Sequence, residues 1–143
     1  MDIRAANKED FTRVLEIERM SFSKPWDYKF LEGASKDIFL VSGDSEIYGF
    51  LIAGCCFRNV NATVLKIAVH PEHRREGIAT KLLYRLFEIL KGKEVTEIDV
   101  FVEGAWKSAI SLYKKVGFEI TSTIPLTSDR NEFYVMRRNL SED

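Results

Sequence analysis

Cysteine and proline are scarce in this 143-residue chain, two of one and three of the other, and charge of neither sign prevails. Two cysteines cannot build the framework of a small disulfide-stapled domain. Cys55 and Cys56 are adjacent, which on a strand sends their side chains to opposite faces. No CxxC occurs, so inert packing is expected rather than a metal site or a redox motif. Lys and Arg total 21 against 22 Asp and Glu, a net charge of −1. The basic excess of generic nucleic-acid and membrane-surface binders is therefore missing. The longest apolar run, Tyr48 to Phe57, spans ten residues, about half of a membrane-crossing helix. No apolar stretch follows Met1-Asp2-Ile3-Arg4, so no secretory signal is expected. These absences point to a cytoplasmic protein with neither nucleic acid nor membrane as partner. Internal repeats, low-complexity stretches and linkers are also missing, which leaves one domain over residues 1–143.

What is present is ordinary globular material, 45% apolar and 30% charged. Residues 2–5 read as a strand. Asn7 offers an N-cap with Glu9 and Asp10 in the first turn, where carboxylates suit the helix dipole. Phe11, Val14, Leu15 and Ile17 carry a helical pattern to about Phe22. A short helix is expected over Trp26–Glu32, before Gly33. Ile38–Val41 and Ile47–Phe57 form a hairpin around Gly43-Asp44-Ser45. Thr63–Val69 is a strand apolar at nearly every position, expected to be covered on both faces. Gly77–Leu90 is the clearest helix, with Ile78, Leu82, Leu83, Leu86, Phe87 and Leu90 on one stripe. A strand over Val95–Val102 and a helix over Ala105–Val116, closed by Gly117, follow. Phe118–Ile124 and Asn131–Arg138 end the chain as a strand pair. The order β-α-α-β-β-β-α-β-α-β-β is that of an α/β protein with a mixed sheet.

The informative stretch runs from Leu65 to Thr80: a strand ending at Val69, a basic turn, and a helix beginning near Gly77. A helix start leaves N–H groups without partners and a partial positive charge, which together make an anion site. Gly77 and Ala79 leave that backbone uncovered, and Arg74 and Arg75 add charge and forked donors. The stretch is neither a Walker A loop nor a dinucleotide fingerprint.

Arg74-Arg75-Glu76-Gly77-Ile78-Ala79 resembles the pyrophosphate loop, Arg/Gln-x-x-Gly-x-Gly/Ala, of the GNAT family of acyl-CoA-dependent N-acetyltransferases. Ala109 to Glu119 resembles that family's second signature at the right spacing. Glu18 to Trp26 is similar to the N-terminal segment of the RimI branch, which acetylates protein N-termini. The resemblance implies a GNAT fold of about seven mostly antiparallel strands and about four helices, with acetyl-CoA between the fourth and fifth strands. It implies that Ile67, Ala68 and Val69 pair through their backbone with the pantetheine arm. The turn of Arg74, Arg75, Glu76, Gly77, Ile78, Ala79 and Thr80 would hold the pyrophosphate. Tyr113 would protonate the departing thiolate as a neutral amine attacks the thioester, without a metal.

Two positions depart from the RimI pattern: Phe101 falls where those enzymes carry a catalytic glutamate, and Trp106 where they carry an asparagine. Asp99 and Glu103 share Phe101's strand face by the period of two, and Glu103 is preferred as the base that acts through water. His70 is a third candidate, although a histidine before proline also suits a surface turn. Phe22, Trp26 and Phe101 are expected to line the acceptor site, the first two serving equally well as a hydrophobic clamp. The segment Pro125–Phe133 lacks the paired tyrosines that grip a peptide N-terminus. Arg137-Arg138 reads as a solvated strand end. The expected activity is acetyl transfer to a protein or peptide N-terminal α-amine. The alternatives are a small-molecule amine, such as a polyamine or aminoglycoside, and an acyl-CoA-binding module with little catalysis.

Overall fold

The structure, a computed structural model, describes residues 2–34, 36–55, 61–125 and 132–141. The elements are β1 (Asp2–Ala5), α1 (Phe11–Ser21), α2 (Tyr28–Ala34), β2 (Ile38–Gly43), β3 (Ile47–Cys55), β4 (Asn61–Val69), α3 (Ile78–Gly92), β5 (Glu97–Glu103), α4 (Lys107–Lys115), β6 (Glu119–Pro125) and β7 (Glu132–Asn139). Single 3-10 turns at Lys8–Asp10 and Pro71–His73 precede α1 and α3. One seven-stranded mixed sheet has the order β1-β2-β3-β4-β5-β7-β6. Parallel pairing joins β4 to β5, with Asn61–Val64 beside Glu97–Val100, and β5 then runs antiparallel to β7. This is the α/β GNAT architecture that the motifs imply. Among the described residues no helix is long and apolar enough to cross a membrane.

The chain divides into two compact units, one of residues 2–34, 36–55 and 65–86, the other of 61–64, 87–125 and 132–141. In the first, Phe11, Val14, Leu15 and Ile17 of α1 pack with Leu31, Phe39, Val41, Phe50, Ile52 and Ala68. The 3-10 turn that leads into α1 opens on a reciprocal capping box: Asn7 accepts from Glu9 N–H, and Asp10 accepts from Asn7 N–H. In the second unit Phe87, Leu90, Ile98, Val100, Val102, Ile110, Tyr113, Val116, Phe118 and Met136 are buried.

Three expectations change. The second helix begins at Tyr28, not Trp26, and carries Gly33 inside it; Asp27 caps its start, accepting Phe30 N–H at 2.8 Å. Strand β4 is not covered on both faces: Val64 and Ala68 are buried, but Leu65 is 44% exposed. An apolar side chain can line an open face as well as a closed one. Arg138 is no solvated strand end, since its Nε donates to Val116 C=O at 2.9 Å and its guanidinium lies over the Phe87 ring. Cys56, Phe57, Asn131 and most of the 125–133 segment lie outside the described residues.

Candidate active site

The turn between β4 and α3 takes its shape from two residues with positive φ, Arg75 at 67° and Gly77 at 80°. Gly77 suits that region without strain, and a Cβ built on it meets nothing within 4 Å. The first helical bond of α3 runs from Lys81 N–H to Gly77 C=O. The N–H groups of Ile78, Ala79 and Thr80 therefore have no carbonyl one turn back to receive them. An uncovered backbone, N–H groups without acceptors and an open glycine fit the pyrophosphate of an acyl-CoA.

Arg74 is exposed, and two of its nitrogens are engaged within the chain. Its Nε donates to Val69 C=O at 3.0 Å and its terminal nitrogen lies 3.4 Å from Ser21 Oγ. It thus ties the turn to the end of β4 and to α1, and engages one carbonyl expected to face the pantetheine arm. His70 accepts Glu72 N–H through Nδ1 at 3.1 Å and caps the 3-10 turn, as its surface-turn reading anticipated. The His73 ring stacks on Tyr48 at 3.6 Å.

Tyr113 is held by the way α4 ends. Phe118 N–H donates to Tyr113 C=O and Gly117 N–H to Lys114 C=O, a Schellman closure with Gly117 at φ 100°. The apolar contact that accompanies this closure is the Tyr113–Phe118 ring pair, edge to face at 5.4 Å. A Cβ on Gly117 would stand 2.8 Å from Arg138 Nε, so helix end and arginine are fitted to each other. Tyr113 is 5% exposed, and burial pushes its phenol well above the ordinary range. Its hydroxyl has no hydrogen-bond partner among the described residues.

On β5, Ile98, Val100 and Val102 face the core, whereas Asp99, Phe101 and Glu103 share the other face. Phe101 is 59% exposed, large for an apolar side chain in a strand. The Asp99 carboxylate is gripped by Arg137 at 2.6 and 3.1 Å, an ion pair across the β5–β7 register. The Glu103 carboxylate has no ion-pair or hydrogen-bond partner among the described residues. Phe22 and Trp26 both pack, half-buried, against the core of the first unit.

Sequence reasoning passed over Lys66, whose Nζ lies 3.3 Å from a buried Glu18 oxygen. The signal was present: Lys66 is the one charge in the run Ala62 to Val69, and Glu18 falls on the apolar face of α1 at the spacing of Phe11, Val14 and Leu15.

Residues 34–120 match the family profile described as an acetyltransferase (GNAT) domain. The chain belongs to the GNAT acetyltransferases. It is an acetyl-CoA-dependent N-acetyltransferase. An acetyltransferase from Sodalis glossinidius is 28% identical over 137 residues, covering 91% of this chain and 95% of that protein. The Escherichia coli ribosomal-protein-S18-alanine N-acetyltransferase superposes with a TM-score of 0.85 at 23% identity, over 97% of this chain and 93% of that one. An aminoglycoside 6′-N-acetyltransferase complexed with coenzyme A superposes with a TM-score of 0.87 at 13% identity, over 98% and 97%. These identities speak for the GNAT fold, and the two enzymes act on acceptors of different kinds.

Proposed function

We propose that this GNAT enzyme acetylates the α-amine of a protein or peptide N-terminus, as a RimI-like member. The observation that carries the reading is the segment Glu18 to Trp26, in which Phe22 and Trp26 both pack against the core of the first unit after α1 and both flank the Lys66 ammonium. The likeness to the S18-alanine N-acetyltransferase supports it; the likeness to an aminoglycoside enzyme favours a small-molecule amine as the second reading. In the proposed site, backbone groups of Ile67, Ala68 and Val69 meet the pantetheine arm, and N–H groups from Arg75 to Thr80 hold the pyrophosphate. Phe22, Trp26 and Phe101 line the acceptor side, and the whole chain acts as one domain.

The chemistry requires a neutral amine, because an ammonium has no lone pair for the thioester carbonyl. Glu103 takes the amine's proton through water in place of the glutamate that Phe101 supplants. As the carbon–sulfur bond breaks, the thiolate needs a proton, and in this reading Tyr113 supplies it. Its raised phenol stays protonated across the working pH range, so the donor is always in its competent form.

Short peptides with free and with blocked α-amines, each containing a lysine, separate the readings. Acetylation of the free-amine peptide alone is expected. Equal acetylation of both, or preference for polyamines and aminoglycosides, would replace the α-amine reading with the side-chain or small-amine one. Glu103→Gln is expected to lower kcat/KM most below neutral pH, where the amine is protonated. An unchanged profile would remove Glu103 as the base.

A further inference from the structure

A lone cation in an apolar strand and a lone carboxylate on an apolar helix face meet in the first unit. Glu18 has no exposed surface. Its Oε2 accepts Trp26 N–H at 3.0 Å and lies 3.3 Å from Lys66 Nζ. The same ammonium sits 3.6 Å from the centroid of the Phe22 ring and 4.9 Å from that of Trp26. Glu18 Oε1 is buried and has no hydrogen-bond partner among the described residues. Helix α1, the segment after it and strand β4 thus converge on one ammonium.

Stability does not account for the arrangement. Desolvating both charges costs more than burying apolar groups of the same volume, and an unsatisfied carboxylate oxygen adds to that cost. What the arrangement supplies is geometry, because a cation attracted by two ring faces and one carboxylate fixes both rings about a single point. Preorganising a binding wall in this way spares the ordering that binding would otherwise require.

We propose that Lys66 is the positioning residue of the acceptor wall, its ammonium holding the Phe22 and Trp26 rings in the arrangement that receives the acceptor amine. The proposal rests on the reading that these rings face the acceptor. Lys66 immediately precedes Ile67, so one strand orders the wall and carries the backbone assigned to the cofactor arm. The box is already filled by the chain's own ammonium, and a cationic group of the acceptor has no place in it.

Lys66→Ala deletes the ammonium and leaves Glu18, Phe22 and Trp26. In a Trp106→Phe background Trp26 is the single tryptophan, and acrylamide quenching of its fluorescence reports the wall without any turnover. Quenching is expected to rise, and the acceptor KM to rise about tenfold or more while the acetyl-CoA KM stays within about twofold. Trimethylammonium, a cation that yields no stable amide, is expected to restore both readouts, and neutral tert-butanol neither. Lys66→Arg should retain most of the protection. If Lys66→Ala does not fold, Lys66→Met with Glu18→Gln removes both charges at nearly constant volume and should show the same loosened Trp26 and raised acceptor KM. Parent-like quenching and acceptor KM in either folded variant would overturn the proposal, as would equal rescue by tert-butanol, or loosened Trp26 with an unchanged acceptor KM. A parent that protects Trp26 but acetylates no α-amine would instead overturn the function reading, because the quenching arm does not depend on turnover.

Discussion

Tyr113 shows how a single side chain is placed by its neighbours. Gly117 ends α4 in the left-handed region, the closure brings Phe118 back against the last turn, and the two rings meet edge to face. The glycine that ends the helix and the tyrosine four residues before it were legible in the sequence. Arg138 was not, because a basic pair at a strand end looks the same in sequence whether it is solvated or stacked on Phe87. The Asp99–Arg137 pair was hidden for a similar reason, since register across β5 and β7 decides which residues stand opposite. Tyr113→Phe removes one oxygen that has no partner among the described residues, so stability and CoA affinity should change little. Loss of a general acid costs about 10²–10⁴ in rate, which is about 3–5 kcal/mol of barrier. The loss should fall on kcat, because the proton moves only as the thiolate leaves. Since burial raises the phenol, the parent should show no alkaline decline in rate from this group below about pH 10, the ordinary tyrosine value. A variant that binds CoA normally and turns over within about threefold of the parent would make Tyr113 a packing residue.

At the scale of elements the order was readable, because the hydrophobic period changes between two and 3.6 wherever strand and helix alternate and turn residues such as Gly43-Asp44-Ser45 separate strand from strand. Boundaries moved where a local bond outweighed the pattern, as when Asp27 capped α2 two residues after its expected start. The faces of β4 were not readable, because apolar composition does not say which side of a strand other elements will cover. The start of α3 was the most legible part of the proposed site. A strand end, a basic turn and a glycine at positive φ leave three N–H groups with no carbonyl to receive them. Gly77→Asp tests that element. Its side chain would occupy the space now open at Gly77 and forbid φ 80° its ease, costing about 1–2 kcal/mol. Its charge would also stand where the pyrophosphate is proposed to bind. The variant's own Tm should fall slightly, and the rise in Tm that CoA gives the parent by mass action should be largely lost. A variant stabilised by CoA as much as the parent would detach the phosphate from this turn.

Across the whole molecule, the function reading assigns work to both compact units. The pyrophosphate turn, β4 from Leu65 onward, and the Phe22–Trp26 wall belong to the first; Tyr113, Phe101 and Glu103 belong to the second. Neither unit is a continuous stretch of sequence, since residues 61–64 and 65–69 of one strand are divided between them. Sequence patterning could not reveal that division, because the pattern of β4 continues across it without a break. Amide hydrogen exchange, with and without acetyl-CoA, reads each unit separately. Ligand bound to the native state suppresses opening wherever opening would release it. Protection should therefore rise at Ile78, Ala79 and Thr80, whose N–H groups have no intrahelical acceptor. It should also rise along the last turn of α4, at Gly117 and Phe118, whose N–H bonds close the helix that carries Tyr113. Strand β1 lies at one edge of the sheet and is assigned no role, so it serves as the internal control and should change least. Protection confined to the turn before α3, with α4 no more affected than β1, would leave the pyrophosphate assignment standing. It would also remove Tyr113 from the proposed site.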